Sequence, residues 1–289
     1  MIALILTILL TSALFFIFKE FEKREISTNQ AITFNYLVAS ISAYLFTDQS
    51  LSLNEIINSE WIQSTILLGI LFVVMFNIMA KTTQKLGISI ASMASKISLI
   101  IPFFLALIIN DDGNLSFISI SEKINTINLI GVLLSIVAIY LSFNIENKKK
   151  HSINIAIILF VGAGILDSIL NYIQKTKLNS ENDYNYFIIS VFFVAFLAGL
   201  TKLIISSEKL KTKNILAGIC LGIPNYFSIY FVLISLKELG GAIVFPVLNI
   251  GVVLTASILG FFIYKEKLNM KNWIGITMAC IAILFILGF

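Results

Sequence analysis

The sequence predicts an all-α integral membrane protein of ten transmembrane helices, arranged as two inverted five-helix repeats, and three observations lead there. Hydrophobic residues make up 58% of the 289, charged residues only 12%, and the mean hydropathy is +0.97. That is more apolar surface than a soluble core of this size could hide. The apolar residues gather into windows of about twenty, the length an α-helix needs to cross a bilayer. Basic residues alternate between rich and poor connections, which sets how successive helices point.

Ten windows fall roughly at residues 1–18, 29–47, 61–81, 87–109, 127–145, 152–174, 185–205, 213–235, 241–264 and 271–288. The connections between them are short, so little of the chain is expected outside the membrane. The first window lacks the basic n-region and small-residue cleavage site of a signal peptide and is expected to stay in the mature protein. Odd-numbered connections hold fifteen of the twenty Lys and Arg residues, even-numbered ones hold four, and Lys96 is the remainder. Loops rich in Lys and Arg stay cytoplasmic, so both termini are expected on the outer side of a cell (inner or plasma) membrane.

Lys96 lies near the middle of the fourth window, GISIASMASKISLIIPFFLALII. A charge at that depth costs roughly 2.5–3.5 kcal/mol on insertion scales, so it is expected to face a partner or a water-filled cavity. Ser89 and Ser92 share its helical face, small residues beside it allow another helix close, and Pro102 is expected to kink the helix.

Shifting the chain by 153 residues lays KLG at 85–87 on ELG at 238–240 and the fourth window on the ninth, with Asn249 opposite Lys96. Five helices per half force the halves, 1–148 and 149–289, into opposite orientations, the plan of secondary transporters with a site near the midplane. A short turn (QKLG, LKELGG) leads into a small-residue helix containing proline, then a polar loop, then a helix with an early glycine (IGVLLSIVAIYL, IGITMACIAILFI). In this pattern the chain resembles the EamA-type drug/metabolite transporter superfamily over both halves. The second half matches better, because Glu266 in YKEKL stands where such proteins carry a glutamate, while the first half has NDDGNL. The resemblance implies a ten-helix permease for small solutes.

Candidate site residues follow from polar groups set deep in apolar windows. Asp167 shares one face of helix six with Gly164, Asn171 and Gln174. It reads either as an ion-pair partner of Lys96 or, with Asn171, as a proton-coupling group. Asn225 beside Pro224, with Tyr226 next to it, and Asn249 one turn after Pro246, join Lys96 and Ser92 as candidate substrate-binding residues. Asn77 and the pair Asn35–Tyr36 are weaker candidates, expected to serve packing. Cys220 and Cys280 read as small hydrophobes. His151, beside a basic run, reads as solvated.

A lysine with an amide and a carboxylate nearby suits an anionic or zwitterionic metabolite, such as an organic acid or amino acid, moved by alternating access. A lipid-linked-intermediate flippase, a membrane scaffold and a channel are the other readings. The chain lacks HExxH, GxSxG and Walker patterns, and Asp111–Asp112 is an isolated pair, so no enzyme activity, cofactor or metal site is expected. Expected partners are a small-molecule substrate and membrane lipid, with a homodimer as an option and no nucleic acid, since the basic residues do not share one face. The charge bias has a direct check: single cysteines in the 146–151 connection should be shielded from impermeant reagents in intact cells, and those at 51–60 should react. The reverse pattern would invert the assignment.

Overall fold

The computed structural model describes residues 1–47, 53–108, 126–143, 150–178 and 181–286. Among these the chain is helical, with no strand. Helices are α1 (Ile2–Lys23), α2 (Thr28–Leu45), the five-residue α3 (Leu53–Ile57), α4 (Ile62–Leu86), α5 (Ile88–Ile97), α6 (Ile100–Ile108), α7 (Thr126–Phe143), α8 (Lys150–Thr176), α9 (Glu181–Ile205), α10 (Thr212–Leu239), α11 (Gly241–Tyr264) and α12 (Met270–Ile286). Among the described residues, seven segments are long and apolar enough to cross a membrane: α1, α4, α5 with α6 through Leu105, α8, α9, α10 and α11. Two further apolar stretches, Leu129–Ala138 and Met270–Ile286, are shorter. Helix is present at each of the ten expected windows, and the chain is a multi-pass membrane protein. The Asp111–Asp112 pair, like most of the 146–151 connection, lies outside the described residues.

The helix boundaries follow from local chemistry. Gly87 sits at φ 105 between α4 and α5, and Gly240 at φ 74 between α10 and α11. Only glycine takes such angles without a steric penalty, which lets two apolar helices join through a single residue. After α11, Lys265 adopts a left-handed conformation and the Glu266 N–H donates back to the Gly260 carbonyl at 3.0 Å. This turn aims the Glu266 carboxylate at the start of α5. There it accepts the N–H groups of Ile88 and Ser89 at 2.5 and 3.2 Å and the Ser89 hydroxyl at 2.6 Å. A negative group on unsatisfied helix N–H donors is a favourable cap. A Cβ at Gly87 would lie 2.5 Å from the same carboxylate, so the position requires glycine twice over.

The fourth window is one helix by hydropathy and two by geometry. Pro102 has no N–H with which to bond the Ser98 carbonyl four residues back. That carbonyl instead accepts from Ile101 at 2.9 Å, and the chain turns at Ser98–Leu99 between α5 and α6. The kink expected at Pro102 is thus a break one turn earlier, and Gly164 of α8 fits against it, its position near the Ser98 carbonyl and Ile101.

Packing pairs the two halves throughout. α2 packs on α9 and α10, α1 on α10 and α11, α4 on α8 and α9, α5 on α11 and α8, α6 on α8, and α7 on α12. The α2–α10 seam is unusually close: Cβ atoms at Gly218 and Gly222 would each lie 2.7 Å from a backbone carbonyl of α2, those of Ala31 and Asn35. One hydrophobic core runs through this arrangement and includes Phe15, Phe18, Tyr36, Met93 and Phe192. Cys220 is exposed and Cys280 half-buried, both as free thiols.

The bundle end that carries the basic connections is bridged by polar contacts between halves. Besides the Glu266 cap, Glu208 accepts from Ser27 Oγ, Asn29 Nδ2 and Gln30 Nε2 at 3.1–3.3 Å. The Gln30 side chain also bonds the Lys209 carbonyl, the Lys211 N–H and the Asn214 amide. Burial alone would push the Glu208 carboxyl up, but these hydrogen bonds and the nearby Lys202 charge hold it below the ordinary value.

Two predictions concern this end. Glu266→Ala should lower stability by about 1–2 kcal/mol, the usual worth of a cap, read as a lower unfolding temperature in detergent. Because the folded Glu208 carboxyl is depressed, its contribution is present above the unfolded value of about 4.3 and is lost as pH falls through the folded value. The stability gap between wild type and Glu208→Gln should therefore be open at pH 7 and close on acidification. A gap that does not change with pH would remove Glu208 from this role.

Candidate functional site

Lys96 occupies the last turn of α5, just before the break. A cation is favoured there because the final carbonyls of a helix carry partial negative charge. The side chain is half-buried, and Asp167 on α8 is the charge that acts on it. The two do not form an ion pair within 4.0 Å, unlike Lys19–Glu22, Lys23–Glu20, Arg24–Glu20 and the N-terminus with Glu238. Asp167 is accessible at its surface rather than sealed in the core. An accessible carboxylate at membrane depth needs water or a cation for company. Ser92, fully buried, donates to the Ser89 carbonyl within its own helix at 3.0 Å. Asn249 is buried on α11, the helix that packs against α5.

The polar face foreseen on helix six divides along its length. Gly164 is buried against the α5–α6 break, whereas Asp167, Asn171 and Gln174 are accessible. Gln174 is hydrogen-bonded to Tyr184 of α9, so this face leads from the level of Lys96 toward the far end of the bundle.

Tyr184 lines the wall of a cavity there, of about 730 Å³. Its walls are the end of α2 (Ala43, Phe46 and Thr47 beyond it), the start of α9 and the last three turns of α10 from Tyr226 to Lys237. Phe46, Tyr226 and Tyr230 form a mutual ring trio with centroids 5.9–6.1 Å apart. The cavity opens at the end opposite the basic connections. Tyr226 is thus a cavity residue, while Asn225, its neighbour, is 4% exposed and shares the helical face of Gly218 and Gly222, which pack on α2. Lys96, Ser92 and Asn249 belong to a second place, around α5 and α11. The candidate residues therefore divide between two locations.

Three features escape a reading by polarity alone. Asn35 is fully buried on α2 and both its amide atoms lack a hydrogen-bond partner. The sequence held a signal for it in the small-residue repeat Gly218–Gly222 on α10, which marks a close helix approach. The Glu208 cluster draws on residues 27–30 and 202–214, far apart in sequence and without periodic pattern. Glu266 was noted for its position in the family pattern, and its target on α5 emerges only in three dimensions.

An uncharacterized protein of Haemophilus influenzae is 26% identical over 291 residues, spanning 97% of this chain and 95% of that one. The similarity therefore runs through both halves. Over residues 154–288, which contain Asp167, the α10 seam and Glu266, the chain is matched by the EamA-like transporter family.

Proposed function

We propose that this membrane protein is a secondary transporter that carries a small polar solute, anionic or zwitterionic, by alternating access between two inverted five-helix repeats. The observation that carries the reading is the cavity open at one end, set against the buried hydrogen-bonded clusters of Glu266 and Glu208 that join the halves at the other and that we take as the closed side. A carrier must close one side while it opens the other, whereas a channel needs a path open at both.

The helix pairings support the repeat. Exchange α1 with α8, α2 with α9, α4 with α10, α5–α6 with α11 and α7 with α12. The α1–α10 contact then becomes α8–α4, α2–α10 becomes α9–α4, and α1–α11 becomes the contact of α8 with α5 and α6. The pairs α2–α9, α5–α11 and α7–α12 map onto themselves. Discontinuous helices such as α5–α6 are the usual means by which such repeats present charged groups at mid-depth. With no nucleotide-binding loop in the sequence, the driving force is a solute or ion gradient.

In this reading Lys96 attracts the negative part of the solute and Asp167 balances or couples it. Flux of labelled amino acids and carboxylates into proteoliposomes, with counterflow as the diagnostic, tests the assignment. Saturable counterflow is expected; unsaturable flux would indicate a channel, and polyprenyl phosphate binding without flux a flippase. Lys96→Met should reduce solute affinity at least tenfold, about 1.4 kcal/mol. If Lys96 only balances Asp167, the double change Lys96→Met with Asp167→Asn should restore transport. Wild-type counterflow by that double variant would withdraw substrate binding from Lys96.

A further inference from the structure

We infer that Asn35 and Asn225, buried at neighbouring levels of the closely packed helices α2 and α10, form a binding site for the zwitterionic head of a solute, a carboxylate together with an ammonium group. The inference rests on the transport reading above but not on the role given there to Lys96.

Asn35 is fully buried, and neither its Nδ2 nor its Oδ1 has a partner; Asn225 is 4% exposed and its Nδ2 has none. A buried amide group without a hydrogen bond is unfavourable, and native proteins keep very few of them. Three such atoms on one helix pair are not required by packing, because leucine would fill a similar volume with no polar atom to satisfy. Nor does either residue stand in for a helix cap, since both lie well inside their helices.

Depth gives the second argument. Gly222 meets the Asn35 carbonyl, so Asn35 is level with Gly222, and Asn225 lies three residues further along α10 toward the cavity. The next turn of α10 supplies Ile229 and Tyr230 to the cavity wall, and on α2 the stripe Asn35, Ala39, Ala43 ends at that wall. Below Asn35 the seam runs down through the Gly218–Ala31 contact into the Gln30, Asn214 and Glu208 seal. The two amides therefore stand where the open part of the inter-half seam meets the closed part. In an alternating-access protein that boundary is the place reached from each side in turn, and the groups that lack partners in a closed seam are those the solute satisfies.

The unpaired set defines the ligand. Two amide NH2 groups offer hydrogens and one amide oxygen accepts one. A carboxylate takes the donors, and an ammonium hydrogen goes to the Asn35 Oδ1. A dicarboxylate would leave that oxygen facing an anion, and a polyamine would bring hydrogens against the NH2 groups.

The test uses full-length protein in proteoliposomes and detergent, with the twenty protein amino acids, a set of dicarboxylates and a set of polyamines supplied singly. Wild type is expected to show counterflow of one or more amino acids, which also raise its unfolding temperature. Asn35→Leu should unfold at the same or a higher temperature than wild type, since unsatisfied amide atoms are removed, while losing at least tenfold of that counterflow and the ligand-induced shift. Asn225→Leu, made in parallel, covers the case in which Asn35→Leu does not fold and should show the same split. Amino-acid counterflow at the wild-type level in either folded variant overturns the site. Carriage of dicarboxylates or polyamines but no amino acid overturns the head-group assignment while leaving the transporter intact. Failure of wild type to move any of the three sets overturns both.

Discussion

A single carboxylate from the second half of the chain, resting on the first N–H groups of a helix in the first half, decides much of what this structure can do. Glu266 reaches Ile88 and Ser89 because Lys265 turns the chain left-handed and because Gly87 and Gly260 leave it room. A helix N-terminus has donors that nothing within the helix can satisfy, and a buried end must find acceptors elsewhere. The acceptor here belongs to the other half. The start of α5, and with it the helix carrying Lys96, is therefore positioned by contact between the halves rather than by either alone.

The same logic explains which parts of the fold could be read from residues and which could not. Runs of apolar side chains announce helices because lipid leaves the backbone few alternatives, so the ten windows coincide with helical segments. Pro102 announced a distortion, although its place, at Ser98–Leu99, depends on which carbonyl loses its donor and which N–H replaces it. Lys96 and Asp167 were conspicuous as charges among apolar neighbours, and the structure sets them on adjacent helices. Asn35 was not conspicuous. A lone amide in an apolar helix looks the same whether it bonds a neighbour or nothing, and only the packed seam reveals that it bonds nothing.

Polar contacts between halves occur at both ends of the bundle, and at the cavity end they are the N-terminus with Glu238 and Lys177 with the Glu60 carbonyl and Ser64. Near the basic connections the Glu208 cluster joins α2 to the 202–214 segment, and Tyr264 donates to Glu20 at 2.7 Å. At the far end α2, α9 and α10 surround the cavity, whose walls carry the ring trio of Phe46, Tyr226 and Tyr230 along with the hydrogen bonds of Thr47 to the Ala43 carbonyl and of Tyr184 with Gln174. Rings slide and re-pack at small energetic cost, whereas hydrogen-bonded clusters come apart as units.

The break at Ser98–Leu99 also bears on the field inside the bundle. Ending α5 at mid-depth leaves its last carbonyls pointing into the interior, the equivalent of roughly half a negative charge. The N-terminus of α6, which begins only at Ile100, sets an opposite partial charge beside it, so the two helix ends largely cancel. What remains is the pair of full charges, Lys96 and Asp167. A substitution that merely neutralised residue 96 would not produce a neutral interior; it would leave the carboxylate as the uncompensated charge of that space.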